Sequence, residues 1–329
     1  MKPVVTVVIP LYNKEKTILR TLNSVLNQSE QNFKLIVVND GSTDNSASIV
    51  ESIDLDERLI LINQKNTGES SARNRGVKEA DTELVAFLDA DDEWKPEFLE
   101  AILELASRYP DADVYGASYF VQNENGETSL SGCYSFFGDG WSGVISNYFD
   151  LIQTAFPFNA SSVAVRKKAL ENIGGFPEGV RYGGDVDVWF RLFLTSKFAF
   201  INKPLAVYHL DAENRACVLY QDTLDEYYPV KNLNQLLKAG ALPENIRQSV
   251  VEYIAQSQLL RAENNIRQGN NMNARRLIFS CRGTRKYNKR WYFLLFCAYV
   301  PPIIIMRMLG LRRHIRKFLA GLFFHDKKR

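Results

Sequence analysis

Leu84-Val85-Ala86-Phe87-Leu88-Asp89-Ala90-Asp91-Asp92 is an apolar run that stops at three carboxylates in four positions. Unbroken apolar character from Leu84 to Leu88 predicts a parallel strand covered by helices on both faces. In an open α/β sheet, ligands bind just beyond the carboxyl ends of such strands. Acids clustered there repel one another unless something positive sits among them. A hard divalent cation, which takes oxygen ligands and bridges to substrate phosphates, is the natural guest. The competing explanation is a helix start, whose first turn prefers acids. The rest of the chain weighs between the two.

Upstream, Val4 to Ile9 is β-branched and apolar and reads as a buried strand ending at Pro10-Leu11-Tyr12-Asn13. Asn13 can cap a helix that puts Ile18, Leu22, Val25 and Leu26 on one face. Lys34 to Val38 is a second strand, stopped by Asn39-Asp40-Gly41-Ser42-Thr43-Asp44, with a helix from Asn45 to Ile53. Leu59 to Ile62 is a third strand. Asn66-Thr67-Gly68-Glu69-Ser70-Ser71 then turns into a helix carrying Arg73, Asn74 and Arg75. Three strand–helix alternations before the acidic run predict βαβ crossovers and a mainly parallel sheet flanked by helices. No G-x-G-x-x-G follows the first strand, so a standard dinucleotide fold is not supported.

Downstream, Pro96 opens a helix whose buried face is Leu99, Ile102, Leu103 and Ala106. Asp113 to Val121 and Ser161 to Arg166 read as strands, and the polar, glycine-rich stretch 122–160 as loops. A helix ends at Gly174-Gly175. Gly183-Gly184-Asp185-Val186-Asp187-Val188-Trp189 opens another, with Trp189, Leu192 and Phe193 inward. Leu205 to Tyr208 is a strand ending at His209, and residues 221–279 are polar and helix-forming.

The 329 residues are 46% hydrophobic, ample for a core, and suggest one large domain or about two. The net charge of +2 hides a split: from Arg282 to Arg329 there are 13 Lys or Arg against Asp326 alone, and the remainder carries 27 against 37 acids. An acidic body with a basic, aromatic tail predicts that the tail meets a polyanionic surface. Trp291 to Met306 is uncharged but short for a span and interrupted by Pro301-Pro302. Leu311, Ile315, Phe318, Leu319, Leu322 and Phe323 recur at helical spacing, with Arg312, Arg313, Arg316 and Lys317 on the other face. That pattern predicts an amphipathic helix lying on an anionic membrane surface; a packed C-terminal hairpin with a solvated basic face is the alternative. Nucleic acid is not expected as a partner, because the acidic body lacks an aromatic–basic platform. The scattered Cys133, Cys217, Cys281 and Cys297 have neither zinc nor redox spacing and suggest a reducing compartment. Met1-Lys2-Pro3 leads straight into the first strand, so no signal peptide is expected.

With these residues in hand, the chain resembles the family 2 glycosyltransferases of the GT-A fold over roughly residues 3–210. The matching stretches are Val7-Val8-Ile9-Pro10-Leu11-Tyr12-Asn13, Ile36 to Asp44, Asn66-Thr67-Gly68 with Ala72-Arg73-Asn74, Phe87 to Asp92, and Gly174-Gly175-Phe176 followed by Gly184 to Trp189. Each match is weak alone; the ordered set is specific. The resemblance implies a GT-A catalytic domain over residues 1–220, with a nucleotide-sugar half at about 1–95 and an acceptor half at about 96–220. A helical extension at 221–281 and a membrane-associating tail at 282–329 would follow.

It further implies that Pro10 and Tyr12 line the base pocket of a UDP-sugar, and that Asp40 accepts from the base. Arg73 would face the base or the phosphates. Asp89 would contact the ribose or a metal-bound water, and Asp91 would ligate Mn²⁺ or Mg²⁺ with the diphosphate, with Asp92 as a substitute. His209 resembles a histidine placed near the diphosphate or metal. Asp185 matches the general base and Asp187 is its reserve; the family commonly has Glu-Asp where this chain has Gly184-Asp185. The expected activity is inverting, non-processive transfer of a hexose or N-acetylhexosamine to a saccharide or polyprenyl-linked glycan for surface polysaccharide, on the cytoplasmic face of a bacterial membrane. A processive synthase is disfavoured because Tyr287-Asn288-Lys289-Arg290-Trp291 lacks the Gln of the Gln-x-x-Arg-Trp motif and lies far downstream of the base. A nucleotidyltransferase of similar sheet, or a catalytically silent sugar-nucleotide binding module on the membrane, are the alternatives.

Overall fold

β1, Val5–Leu11, is buried along its whole length, because it lies inside a sheet with helices on both faces. The computed structural model describes residues 3–53, 58–212 and 227–300. The chain divides into two compact units, Met1–Pro243 and Glu244–Arg329.

In the first unit, β1 is followed by α1 (Ile18–Leu26), β2 (Phe33–Asn39), α2 (Ser46–Glu51), β3 (Leu59–Asn63), α3 (Glu69–Glu79) and β4 (Leu84–Phe87). β1 pairs in parallel with β2 on one side and β4 on the other, placing Val8 opposite both Ile36 and Phe87. β2 continues in parallel to β3. After β5 (Glu93–Trp94) and α4 (Phe98–Arg108) come β6 (Val114–Gln122), β7 (Thr128–Leu130), β8 (Ser142–Val144), α5 (Tyr148–Leu151), β9 (Val163–Arg166), α6 (Lys167–Asn172), α7 (Gly184–Thr195) and β10 (Phe198–His209). The described strands form one mixed sheet in the order β3-β2-β1-β4-β9-β6-β10-β5, with β7 on β6 and β8 on β10. β9 runs antiparallel to β4 and β6, and β10 runs parallel to β6. β1, β2, β4, β6 and β10 therefore all end on the same side.

Val5, Val7 and Ile9 face the core beneath α1 and α4, where Ile18, Leu22, Val25, Phe98, Leu99 and Ile102 are buried with them. Val8 points the other way, toward α3. A Cβ on Gly76 would lie 2.3 Å from Val8 Cγ1, so this glycine lets α3 come down onto the strand. The stretch 122–160, expected as loops, holds β7, β8 and α5, elements too short to carry a periodic signal. Tyr148, Phe149 and Phe158 of this stretch are core: Tyr148 packs edge-on against Phe198 and stacks with Phe158. Trp189 is also core, with its edge toward Phe158 and Phe176. α8, Tyr228–Lys238, closes the first unit and buries Val230 and Leu233.

The second unit contains α9 (Glu244–Arg267), α10 (Asn271–Ser280) and α11 (Asn288–Cys297). Ala255, Leu259, Ala262, Ala274, Ile278, Leu294 and Cys297 form its core. Glu252 pins the chain before α11, accepting from Thr284 Oγ1 at 2.6 Å and from the Arg285 N–H at 2.8 Å. No described helix is long and apolar enough to cross a membrane. The amphipathic pattern at 311–323 lies outside the described residues.

Candidate active site

The carboxyl ends of β1, β2 and β4, the start of α3 and the start of α7 enclose a cleft of about 890 Å³. Its lining includes Pro10, Tyr12, Asp40, Arg73, Asp89, Asp91 and Asp185. These residues span 175 positions of sequence and meet because successive strands run in parallel and deliver their ends to one edge.

Tyr12 follows directly on β1 with 46% of its surface open, so the ring is accessible for stacking. Asp40 works on its own loop. Its Oδ1 accepts from Gln64 Nε2 at 2.8 Å and the Thr67 N–H at 3.0 Å, and its Oδ2 accepts from the Gly68 N–H at 2.8 Å. Asp40 thus ties the end of β2 to the turn that launches α3. Gly68 takes φ 98°, a left-handed conformation that suits glycine at this helix start.

The acidic run separates into three environments. Asp89 Oδ1 accepts from Arg73 at 2.6 Å. The same guanidinium, 3% exposed, reaches Glu69 Oε1 at 2.5 Å, one helical turn back. Asp91 Oδ2 accepts from Lys14 Nζ at 2.6 Å, and Arg20 donates to the Asp91 carbonyl at 2.7 Å. Asp92 turns inward. It is fully buried, its Oδ2 accepting from Ser161 Oγ at 2.5 Å and its Oδ1 from the His209 N–H at 2.9 Å. Burial first, and then the charges of Asp91 and Asp89, hold the Asp92 carboxyl well above the usual carboxylate range. Asp92 therefore ties β4, β9 and β10 together beneath the cleft. Asp92→Ala should lower unfolding free energy by about 1–3 kcal/mol, because Ser161 and the His209 N–H lose their buried acceptor. Asp92→Asn should stay within about 1 kcal/mol of the parent; urea denaturation of both variants checks this.

His209 is buried behind Asp92, with Nε2 3.6 Å from Glu93 Oε1, and is not among the residues lining the cleft. The His209 ring in turn holds the Glu93 carboxyl below its ordinary range.

Across the cleft, Gly183 takes φ 80° and opens α7, whose first turn carries Asp185 and Asp187. Burial pushes the Asp185 carboxyl up, Asp89 adds to this, and Arg73 opposes it. Asp187 points elsewhere: Oδ2 takes Arg191 Nε at 2.7 Å and Oδ1 takes Asn232 Nδ2 at 2.7 Å. That carboxylate is 2% exposed and joins α7 to α8. The missing glutamate before Asp185 has a steric counterpart, since a Cβ on Gly184 would lie 2.8 Å from Ser70 Oγ. Ser70 occupies the room that a longer side chain at 184 would need.

Sequence reasoning missed Lys14, Arg20, Glu69 and Ser161. Lys14 and Arg20 lie more than seventy positions from Asp91, and no local spacing announces them. Glu69 had a local signal, its i,i+4 spacing to Arg73. Burial of the cleft floor and the charges of Asp89, Asp185 and Asp91 push Glu69 up to about 7 against the pull of Arg73. Half of its side chain still faces the cleft opening, where water works against that shift.

Residues 6–174 match the family described as glycosyl transferase family 2. An uncharacterized glycosyltransferase of Rickettsia bellii is 30% identical over 216 residues, 64% of this chain and 29% of that protein. Glycosyltransferase GlyA of Streptococcus pneumoniae is 35% identical over 122 residues, 37% of this chain and 17% of the relative. The matches thus span less than a third of those relatives' length. The crystal structure of S. aureus TarS 1-349 in complex with UDP-GlcNAc superposes with a TM-score of 0.65 at 20% identity, covering 90% of this chain and 80% of that one, and so shares the fold.

Proposed function

Because the chain belongs to glycosyl transferase family 2, we propose that it moves a hexose or N-acetylhexosamine from a UDP-sugar to a saccharide or polyprenyl-linked glycan, with inversion and one sugar at a time, in surface polysaccharide synthesis. The observation that carries the reading is the single cleft that collects Tyr12, Asp40, Arg73, Asp89, Asp91 and Asp185 at the strand ends.

The residues present fit a divalent ion. Asp89 and Asp91 offer hard oxygen donors, and Asp91 already holds a cation, the Lys14 ammonium, at 2.6 Å. Among the described residues no group of three or more His, Cys, Asp or Glu is arranged to hold a metal. A site with one or two carboxylates is the pattern suited to Mg²⁺ or Mn²⁺ carried in with substrate phosphates. Asp91, with Asp89 beside it, would hold the ion; His209 is given a supporting role behind Asp92. When bound, the ion neutralises charge developing on the leaving diphosphate.

The remaining work falls to the chain. Tyr12 stacks on the uracil, and Asp40 both orders the 66–68 turn and accepts from the base. Arg73, fixed by Glu69 and Asp89, presents its guanidinium toward the phosphates. Asp185 takes the proton of the acceptor hydroxyl as that oxygen bonds to the anomeric carbon and the bond to UDP breaks. Attack from the face opposite the leaving group inverts the centre. UDP release from a panel of UDP-sugars with Mn²⁺ and lipid-linked acceptors tests the proposal, and a protein that binds UDP-sugars without turnover with any acceptor would instead be a silent binding module.

The basic tail would hold the enzyme on the anionic cytoplasmic face of the membrane. Leu294 and Cys297 belong to the core of the second unit, so a cut at 282 would damage that core. Removal of residues 301–329 should leave the protein folded and shift it from anionic liposomes to the soluble fraction in flotation, because the cut takes away Arg312, Arg313, Arg316 and Lys317 together with the apolar set Leu311, Ile315, Phe318, Leu319, Leu322 and Phe323. Retention on liposomes after that cut would count against the tail as anchor.

A further inference from the structure

The turn between β1 and α1 is built to aim one lysine. Asn13 takes φ 49°, a left-handed conformation that non-glycine residues seldom adopt and asparagine tolerates best. Two hydrogen bonds hold it there: Asn13 Oδ1 accepts from the Thr43 N–H at 2.8 Å, and the Asn13 N–H donates to Ser42 Oγ at 3.1 Å. The next residue is fixed as well. The Lys14 N–H donates to Ser46 Oγ at 2.7 Å, and the Lys14 carbonyl accepts from the N–H groups of Thr17 and Ile18 at 3.0 and 2.9 Å. With its backbone held, Lys14 lines the cleft and brings Nζ to 2.6 Å from Asp91 Oδ2, the two side chains 19% and 16% exposed. Arg20 fixes the Asp91 backbone from the other side.

Asp89 and Asp91 therefore each meet a different basic side chain, Arg73 for Asp89 and Lys14 for Asp91. The partners differ. Arg73 is 3% exposed and held by two carboxylates, whereas Lys14 sits on a flexible four-carbon stem at the cleft wall. A divalent ion at Asp91 would lie within a few ångströms of the Lys14 ammonium, and like charges so close in a partly desolvated cleft repel.

We propose that Lys14 is an exchangeable counter-cation: it neutralises Asp91 while the cleft is empty and turns to the nucleotide's diphosphate when the metal takes Asp91. The proposal rests on the reading of Asp91 as a metal ligand. It makes one residue act with opposite sign on two ligands. Lys14 opposes the bare metal, which must displace it, and supports the metal–nucleotide pair, whose phosphates receive it. The two would then enter the cleft together rather than the metal first, since coupling between two ligands is reciprocal.

The test measures binding to the full chain without turnover. Mn²⁺ alone is titrated by the electron paramagnetic resonance signal of the free ion, and UDP is titrated by calorimetry at saturating Mn²⁺. Lys14→Met should tighten Mn²⁺ alone by about tenfold and weaken UDP by about tenfold, the scale on which a neighbouring charge shifts a carboxylate's affinity for a cation. Lys14→Gln, which keeps a polar group and loses the charge, should show the same pair of opposite shifts and stands in if Lys14→Met does not fold. Lys14→Arg should restore both values toward the parent. Weakening of both ligands, or unchanged Mn²⁺ affinity, or unchanged UDP affinity in the charge-free variants overturns the exchange role. If the parent still binds UDP with Mn²⁺ in those cases, the reading of the site stands without it. A parent that binds no UDP with Mn²⁺ overturns both.

Discussion

Asp185→Asn is expected to cut kcat by about 10²–10⁴-fold, the range for loss of a general base, while the Kd for UDP stays within about threefold. The replacement keeps the shape of the side chain and the geometry of the α7 N-terminus but cannot accept a proton. The pH dependence follows from the same carboxyl. Burial and the charge of Asp89 raise it above the ordinary aspartate range, with Arg73 in opposition. The base form grows as pH rises, so kcat/KM should climb through an acid limb that lies above the usual carboxylate value, and Asp185→Asn should abolish that limb. Single-turnover transfer assays and a UDP titration separate chemistry from binding. Asp187→Ala gives the contrast. It breaks a carboxylate held by Arg191 and Asn232 inside the protein, so the expected loss is in stability, about 3–5 kcal/mol for a broken buried pair, with transfer per folded molecule largely kept. If Asp187→Asn lost transfer in the folded protein and Asp185→Asn kept it, the base would move to Asp187.

Asp91→Ala should reduce turnover by about 10³-fold or more, because several kcal/mol of charge neutralisation at the leaving diphosphate disappear, each 1.4 kcal/mol being tenfold. The variant also takes the carboxylate from Lys14, so the cleft becomes one unit more positive. UDP binding without metal should then hold up better than UDP binding with Mn²⁺, and titration in both conditions distinguishes loss of the ion from loss of the fold. Near-parent activity in Asp91→Ala would remove the metal assignment. Asp92→Ala, one position along, should change stability rather than metal response, since its carboxylate faces Ser161 and His209.

That contrast shows how much could be read in advance. The run Leu84 to Asp92 carries its own structural instructions: an apolar stretch buried on both faces, then acids at a strand end. The helix positions Ile18, Leu22 and Val25 were legible for the same reason, as spacing on one face, and all three are buried. The stretch 122–160 was not legible, because strands of three residues carry no period, and Tyr148 and Phe149 of α5 are buried by partners from α7 and β10. The ordered motifs from Val7 to Trp189 identified the family, and with it the residues to look for.

Local chemistry along the chain therefore determined the order of strands and helices, the parallel half of the sheet and the set of acids at its rim, since periodicity and turn residues act within a few positions. Only the tertiary structure distributed roles among those acids. Asp89, Asp91 and Asp92 are neighbours of one type, yet one meets Arg73, one meets Lys14 and one is buried on Ser161. Asp185 faces the cleft while Asp187, two positions on, is turned into the α7–α8 contact. Ionisation and reach depend on burial and on charges brought from distant segments, and neither is encoded in the spacing of the acids themselves.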